Sequence, residues 1–221
     1  MKSYVIHLIR HGLTQANLNG AYAGVTDIPV CKQGEERLLN LKENYKYPTA
    51  LEFYTSPMIR CKQTCDILYP GSNPKVINDL KEWNFGDWEG KSYKELMETD
   101  ERYRKWIENN RQSAVPNGES GEEFFKRICK SFEEIVYSLI KRGVTSAAVF
   151  THGGVIMSIL STYSLEKSSF LDWIVDNGCG YSVRIMPSLW MRDKVLEVFQ
   201  KIPEGANTEI NGEFKKLIED K

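Results

Sequence analysis

From Tyr4 to Ile9 the chain is nearly all apolar, with no alternation of polar positions. That pattern predicts a strand buried on both faces of a largely parallel sheet. Gly34–Lys46 reads as a helix with Leu38, Leu39 and Leu41 on its apolar side, and Leu51–Thr55 as a second short strand. Pro57 sits where a first helical turn tolerates it, and a helix then runs to about Leu68. Lys75–Asn78 is a candidate edge strand. Lys91–Asn110 carries Leu96, Tyr103, Trp106 and Ile107 as anchors of one or two helices, and Ala114–Gly118 is a loop. Ser120 and Glu123 form a capping box that opens a helix with apolar residues at three-to-four spacing from Phe124 to Leu139. Gly143 ends it. Val144–Phe150 is a third buried strand, Val155–Tyr163 an apolar helix, and Tyr181–Met186 and Val195–Phe199 two further strands.

This order predicts an α/β protein, a three-layer α/β/α sandwich with a mostly parallel central sheet. Residues 1–203 are expected to form one domain, with a helical lid at about 91–118. Residues 204–221 are polar and are expected to be a tail or a loosely docked helix.

Composition narrows the function. Of 221 residues, 41% are hydrophobic, enough for a core without staples. Lys and Arg number 29 against 30 Asp and Glu, a net charge of −1. No global field draws nucleic acid or an anionic membrane, so any anion site must be local. No apolar run approaches the ~20 residues that span a bilayer. The apolar run after Met1-Lys2-Ser3 is too short for a signal peptide, so the expected location is cytoplasmic. Cys31, Cys61, Cys65, Cys129 and Cys179 are odd in number and dispersed, which suits reduced, structural thiols.

The candidate chemistry lies at strand ends. Arg10-His11, Ser56 to Arg60, and Thr151-His152 each follow a predicted strand. Open α/β sheets gather binding groups at that edge. If the strands are parallel neighbours, two arginines and two histidines meet in one crevice. Each arginine offers a planar fork of donors that matches phosphate oxygens. Gly12, Gly153 and Gly154 let backbone approach an anion, and a helix starting at Gly153 aims its N-terminal N–H groups at it.

Arg10-His11-Gly12-Leu13-Thr14 followed by Asn17 resembles the opening signature of the histidine phosphatase (phosphoglycerate mutase-like) superfamily. Ser56-Pro57-Met58-Ile59-Arg60 is similar to its second block, and Leu80 to Gly90 to the block carrying a proton donor. Gly118-Glu119-Ser120 and Thr151-His152-Gly153-Gly154 complete the set in order, spanning about two thirds of the chain. The resemblance implies that His11 is a nucleophile forming phosphohistidine. It implies that Arg10, Arg60, His152, Asn17 and Gly153 bind the phosphoryl oxygens, and that Glu82 is the general acid and base. It implies no cofactor and no metal, because the arginines supply the positive charge. The expected partner is a small-molecule phosphate ester. Tyr22 to Pro29 and Phe85 to Gly90 resemble α-ribazole phosphatases and broad-specificity relatives.

Alternatives remain open at this level. His7 and His11 are four apart, a metal-pair spacing on a helix, but on a strand they lie about 13 Å apart. His7 is expected to be a hydrogen-bonded core residue. Glu119 and Glu89 are rival proton donors. Asn17 could instead cap its turn, and the aromatics of 83–88 could be core. Cys31 to Arg37 fits the spacing of cysteine-dependent phosphatases, but Glu35 and Glu36 would oppose a dianion there. Ala23 stands where many relatives carry Gln. A phosphoglycerate mutase activity is the first alternative. Family mutases carry a Glu-Arg-x-Tyr-Gly segment where this chain has Lys81-Glu82-Trp83-Asn84-Phe85-Gly86. An inactive phospho-ligand binding module is the second.

Overall fold

The strand at Tyr4–Arg10 (β1) lies near the middle of the sheet, and its Ile6, Leu8 and Ile9 are wholly buried. The structure is a computed structural model and describes residues 2–109, 111 and 113–206. After β1 come α1 (Gln15–Leu18), α2 (Lys32–Asn44), β2 (Glu52–Thr55), α3 (Ile59–Leu68) and β3 (Lys75–Val76). The helices α4 (Tyr93–Thr99) and α5 (Glu101–Glu108) form a helical insertion, and α6 (Gly121–Arg142) follows. The chain continues through β4 (Ser146–Thr151), α7 (Gly153–Tyr163), β5 (Gly180–Ile185), α8 (Pro187–Asp193) and β6 (Glu197–Ile202).

Strand order is β3-β2-β4-β1-β5-β6. The first four strands in that order run parallel, and β5 and β6 are antiparallel. Helices cover both faces. The larger core packs α6, α7, the helical insertion and Trp190 of α8 on one face; Leu38, Cys61, Cys65 and Leu68 from α2 and α3 form a smaller core on the other. This is the expected mostly parallel α/β/α sandwich.

The capping box at Ser120 and Glu123 is present, and Gly143 closes α6 at φ 71° in the left-handed region. Such a cap contributes about 1 kcal/mol. In the helical insertion, Ser92 and Asp100 cap α4 and α5, and Leu96, Tyr103 and Trp106 are buried.

Several boundaries differ from the expectations. Helix α2 starts at Lys32, two residues early, with Cys31 as its N-cap. Helix α3 starts at Ile59, so Pro57 precedes it; Asp27 Oδ1 accepts from Ile59 N–H at 2.7 Å and stands in for a local cap. The last strand is 197–202 rather than 195–199. Helix α8 was not expected: Trp190 is its one buried anchor and Met191 faces solvent, so it has no apolar period to read. Among the described residues no helix is long and apolar enough to cross a membrane. Of the proposed tail, residues 207–221 lie outside the described residues.

Candidate active site

Parallel pairing carries three backbones past their strand ends together. His11 N–H donates to Thr151 O and Ser56 N–H to Phe150 O, each at 2.9 Å. The segments after β1, β2 and β4 therefore emerge side by side, as adjacent parallel strands must. The rings of His11 and His152 lie 5.2 Å apart, centroid to centroid, at 63°.

His11 Nδ1 lies 2.7 Å from the Gly12 carbonyl. A carbonyl can only accept, so Nδ1 carries the proton and Nε2 holds a lone pair. Burial first, then the charges of Arg60 and Arg10, holds this imidazole well below its ordinary pKa. It is neutral, as a nucleophile requires. Gly12 N–H donates to Thr64 Oγ1 at 2.7 Å, which locks the turn to α3. A Cβ at Gly12 would strike Leu38, so this glycine serves packing against α2 rather than approach to an anion.

His152 caps α7 and is wholly buried. Its Nε2 contacts Ser56 Oγ at 2.9 Å, and Arg60 Nε donates toward its Nδ1 at 3.4 Å. Burial, then Arg60, His11 and Arg10, keeps it neutral as well. Both nitrogens thus have protein partners, and a bond from Nε2 to a phosphoryl oxygen would replace the one to Ser56.

Arg60 is wholly buried. Nη1 donates to Thr26 O at 2.9 Å, and Nη2 to Ala23 O and Gly24 O at 3.2 and 2.7 Å. With Nε on His152, one Nη1 N–H of the five donors is left for an anion. Arg10 Nη1 donates to Val175 O at 2.7 Å, while its Nε is buried without a protein partner among the described residues. Leaving such a donor unpaired costs about 1–3 kcal/mol, which an anion would recover. Gly153 lies alongside, close enough that a Cβ would sit 3.4 Å from Arg10 Nε.

Glu82 joins the cluster from the segment before the helical insertion. Oε2 accepts from Gly154 N–H at 2.9 Å and Oε1 from Trp83 N–H at 3.0 Å. Burial raises its carboxyl above the usual range, against those two bonds and the two arginines. One N–H of the α7 terminus therefore serves Glu82 rather than an anion. Trp83 and Trp88 belong to the core, and Phe85 is half-buried against Tyr22 at 4.4 Å.

The rival residues have other tasks. Glu89 accepts from the N–H groups of Gly24, Val25, Thr26 and Phe85 and from Thr26 Oγ1. It fixes the loop whose carbonyls hold Arg60. Glu119 is gripped by Arg127 through two bonds. Asn17 caps its turn, accepting on Oδ1 from Thr14 N–H and Thr14 Oγ1. Cys31 and Arg37 form no anion loop: α2 runs between them, and Arg37 pairs with Asp176. His7 Nδ1 contacts Ser182 Oγ at 2.9 Å.

Sequence reasoning missed the segment before β5. Val175 O receives Arg10, and Asn177 Nδ2 donates to His11 O at 3.0 Å and Asn17 Oδ1 at 3.2 Å. A signal existed: Asp176-Asn177-Gly178 is polar yet wedged between apolar runs, and both side chains are buried.

Fold and site together define an α/β protein equipped to hold a phosphoryl group, with paired imidazoles, two guanidinium groups and a buried carboxyl at a parallel sheet edge. The sequence model of the histidine phosphatase superfamily (branch 1) matches residues 6–195, and the chain belongs to that family. The adenosylcobalamin/alpha-ribazole phosphatase of Escherichia coli is 29% identical over 184 residues, covering 80% of this chain and 88% of the relative. The sedoheptulose 1,7-bisphosphatase of Saccharomyces cerevisiae is 30% identical over 148 residues, 58% of this chain and 54% of that one. The crystal structure of the alpha-ribazole phosphatase from Shigella flexneri superposes with a TM-score of 0.73 at 27% identity, covering 88% of this chain and 94% of that one. The chain lies in the phosphatase branch, related to α-ribazole phosphatases.

Proposed function

We propose that this chain hydrolyses small-molecule phosphate monoesters through a phosphohistidine on His11, without a metal ion. The observation that carries the reading is the bond from His11 Nδ1 to Gly12 O, which leaves a lone pair on Nε2 of a ring that feels the charges of Arg60 and Arg10. Nε2 attacks phosphorus in line. The bond to the ester oxygen breaks, and protonated Glu82 delivers its proton to the departing alkoxide. The carboxylate then takes a proton from water, whose oxygen attacks phosphorus. The P–N bond breaks and its electron pair returns to Nε2. Arg10 and Arg60 neutralise charge on the three equatorial oxygens, with His152, Asn17 and Gly153 as further donors.

We place α-ribazole 5'-phosphate first among candidate substrates, on the likeness to the Escherichia coli and Shigella flexneri proteins. The test is phosphate release from a panel containing α-ribazole 5'-phosphate, sugar phosphates, 3-phosphoglycerate and p-nitrophenyl phosphate, with EDTA present. Release in EDTA and its loss in His11→Ala are the expected results. Undiminished turnover by His11→Ala overturns the mechanism. Isomerisation of 3-phosphoglycerate without phosphate release replaces hydrolysis with transfer.

A further inference from the structure

We infer that Arg127 and Glu119 are a positioning pair that sets the place of the proton-donor segment 79–82. The inference rests on the reading of Glu82 as general acid. Arg127 lies on the second turn of α6. Its Nε and Nη2 hold the two carboxylate oxygens of Glu119 at 2.6 and 2.8 Å. Its Nη1 donates to the carbonyls of Asp79 and Lys81, both at 2.8 Å, and Nη2 to the carbonyl of Glu82 itself at 3.0 Å. All five guanidinium N–H groups are spent, three of them on this one stretch of backbone.

That stretch has little structure of its own. After a single 3-10 turn at Asn78–Leu80, residues 81–85 belong to no helix or strand. A segment without a ladder takes its geometry from the groups that bond its carbonyls. Glu119 adds two backbone ties: its carbonyl accepts from Trp83 Nε1 at 2.8 Å, and its N–H donates to Asn84 O at 3.0 Å. The local sequence builds the device. The capping box at Ser120 and Glu123 fixes the path into α6, which brings Glu119 back alongside Arg127. The Phe124 ring lies 4.9 Å from the guanidinium carbon and supports its plane. A lysine has no fork to span a carboxylate and three carbonyls at once.

The test compares kcat/KM for p-nitrophenyl phosphate, whose leaving group needs no acid, with glycerol 2-phosphate, whose alkoxide does. Arg127→Met, Arg127→Lys and Glu119→Gln are measured beside Glu82→Gln. The expected result is a rise of about tenfold or more in the ratio between the two substrates for Arg127→Met, in the direction of Glu82→Gln. Inhibition by inorganic phosphate is expected to stay unchanged. The alkaline limb of the glycerol 2-phosphate profile is expected to move to lower pH as the carboxyl gains water. Equal loss on both substrates with an unmoved limb overturns the inference while Glu82→Gln still discriminates. If Glu82→Gln itself does not discriminate, the acid assignment has failed and the pair's role falls with it. Should Arg127→Met not fold, a folded Arg127→Lys or Glu119→Gln with an unchanged ratio and limb overturns the inference equally.

Discussion

Glu82 Oε2 accepts a 2.9 Å hydrogen bond from the backbone N–H of Gly154, in the first turn of the helix that His152 caps. The proton-donor candidate is thus fastened to the same helix end that presents the second imidazole. A Cβ at Gly154 would sit 2.5 Å from Glu82 Oε1. Gly154→Ala is expected to push the carboxyl aside. Turnover of glycerol 2-phosphate should fall by about one to two orders of magnitude, more than that of p-nitrophenyl phosphate. Steady-state kinetics on the two esters check this, and an equal fall on both would contradict it.

The pH profile follows from the same carboxyl. Burial raises Glu82 above the ordinary carboxylate range, so it stays protonated to higher pH. As an acid it works only while protonated, so kcat/KM for an alkyl phosphate is expected to fall as pH rises through its folded value. Glu82→Gln should lose that limb along with most activity on alkyl esters. A limb that persists in the variant would assign it to another group.

Glu89 should matter for phosphate affinity, not for proton transfer. Its two oxygens serve four backbone N–H groups and one hydroxyl. Glu89→Gln turns one acceptor into a donor facing donors. The expected cost is about 1–3 kcal/mol of stability, read from urea unfolding. Loosening of the 23–26 loop should also weaken inhibition by inorganic phosphate, because that loop orients Arg60. Unchanged phosphate inhibition would refute the link.

Three buried imidazoles are expected to lower stability in mild acid. Burial pushes His7 down to about 4, and His11 and His152 are also held low. Unfolded histidines titrate near 6.5. Between pH 7 and 5 the unfolded chain takes up protons that the native state refuses, so stability is expected to fall as pH falls. Urea midpoints across that range check the sign, and His7→Gln should flatten the slope. A flat wild-type profile would contradict the burial argument.

The thiols should be bystanders. Burial raises Cys61 and Cys179 to about 12 and Cys65 to about 11, which leaves almost no thiolate at neutral pH. Iodoacetamide at pH 7.5 is expected to leave phosphatase activity intact, and Cys31→Ser to turn over normally. Inactivation of either kind would restore a cysteine mechanism.

The sheet edge was legible because it is written in contiguous residues. The apolar runs of β1 and β4 end directly at Arg10-His11 and Thr151-His152, so strand and chemistry are read together. The capping box of α6 was equally local. What stayed hidden is what backbone atoms do at long range. Nothing in the spelling of Val175 says that its carbonyl receives Arg10, nor in Ala23 that its carbonyl receives Arg60. Glu89 and Glu119 looked like rival acids because a carboxylate's task depends on which donors face it. Helix α8 escaped because one buried tryptophan is too few points to define a period.

Glu89 ties the loop that holds Arg60 to the turn that enters the helical insertion, because one carboxylate accepts from both Thr26 and Phe85. The insertion is fastened to the same neighbourhood by Tyr103 on Tyr22 and by Trp106 on Trp83. Remodelling of that stretch therefore has to conserve those few anchors, which leaves the exposed positions of α4 and α5 as the ones open to change.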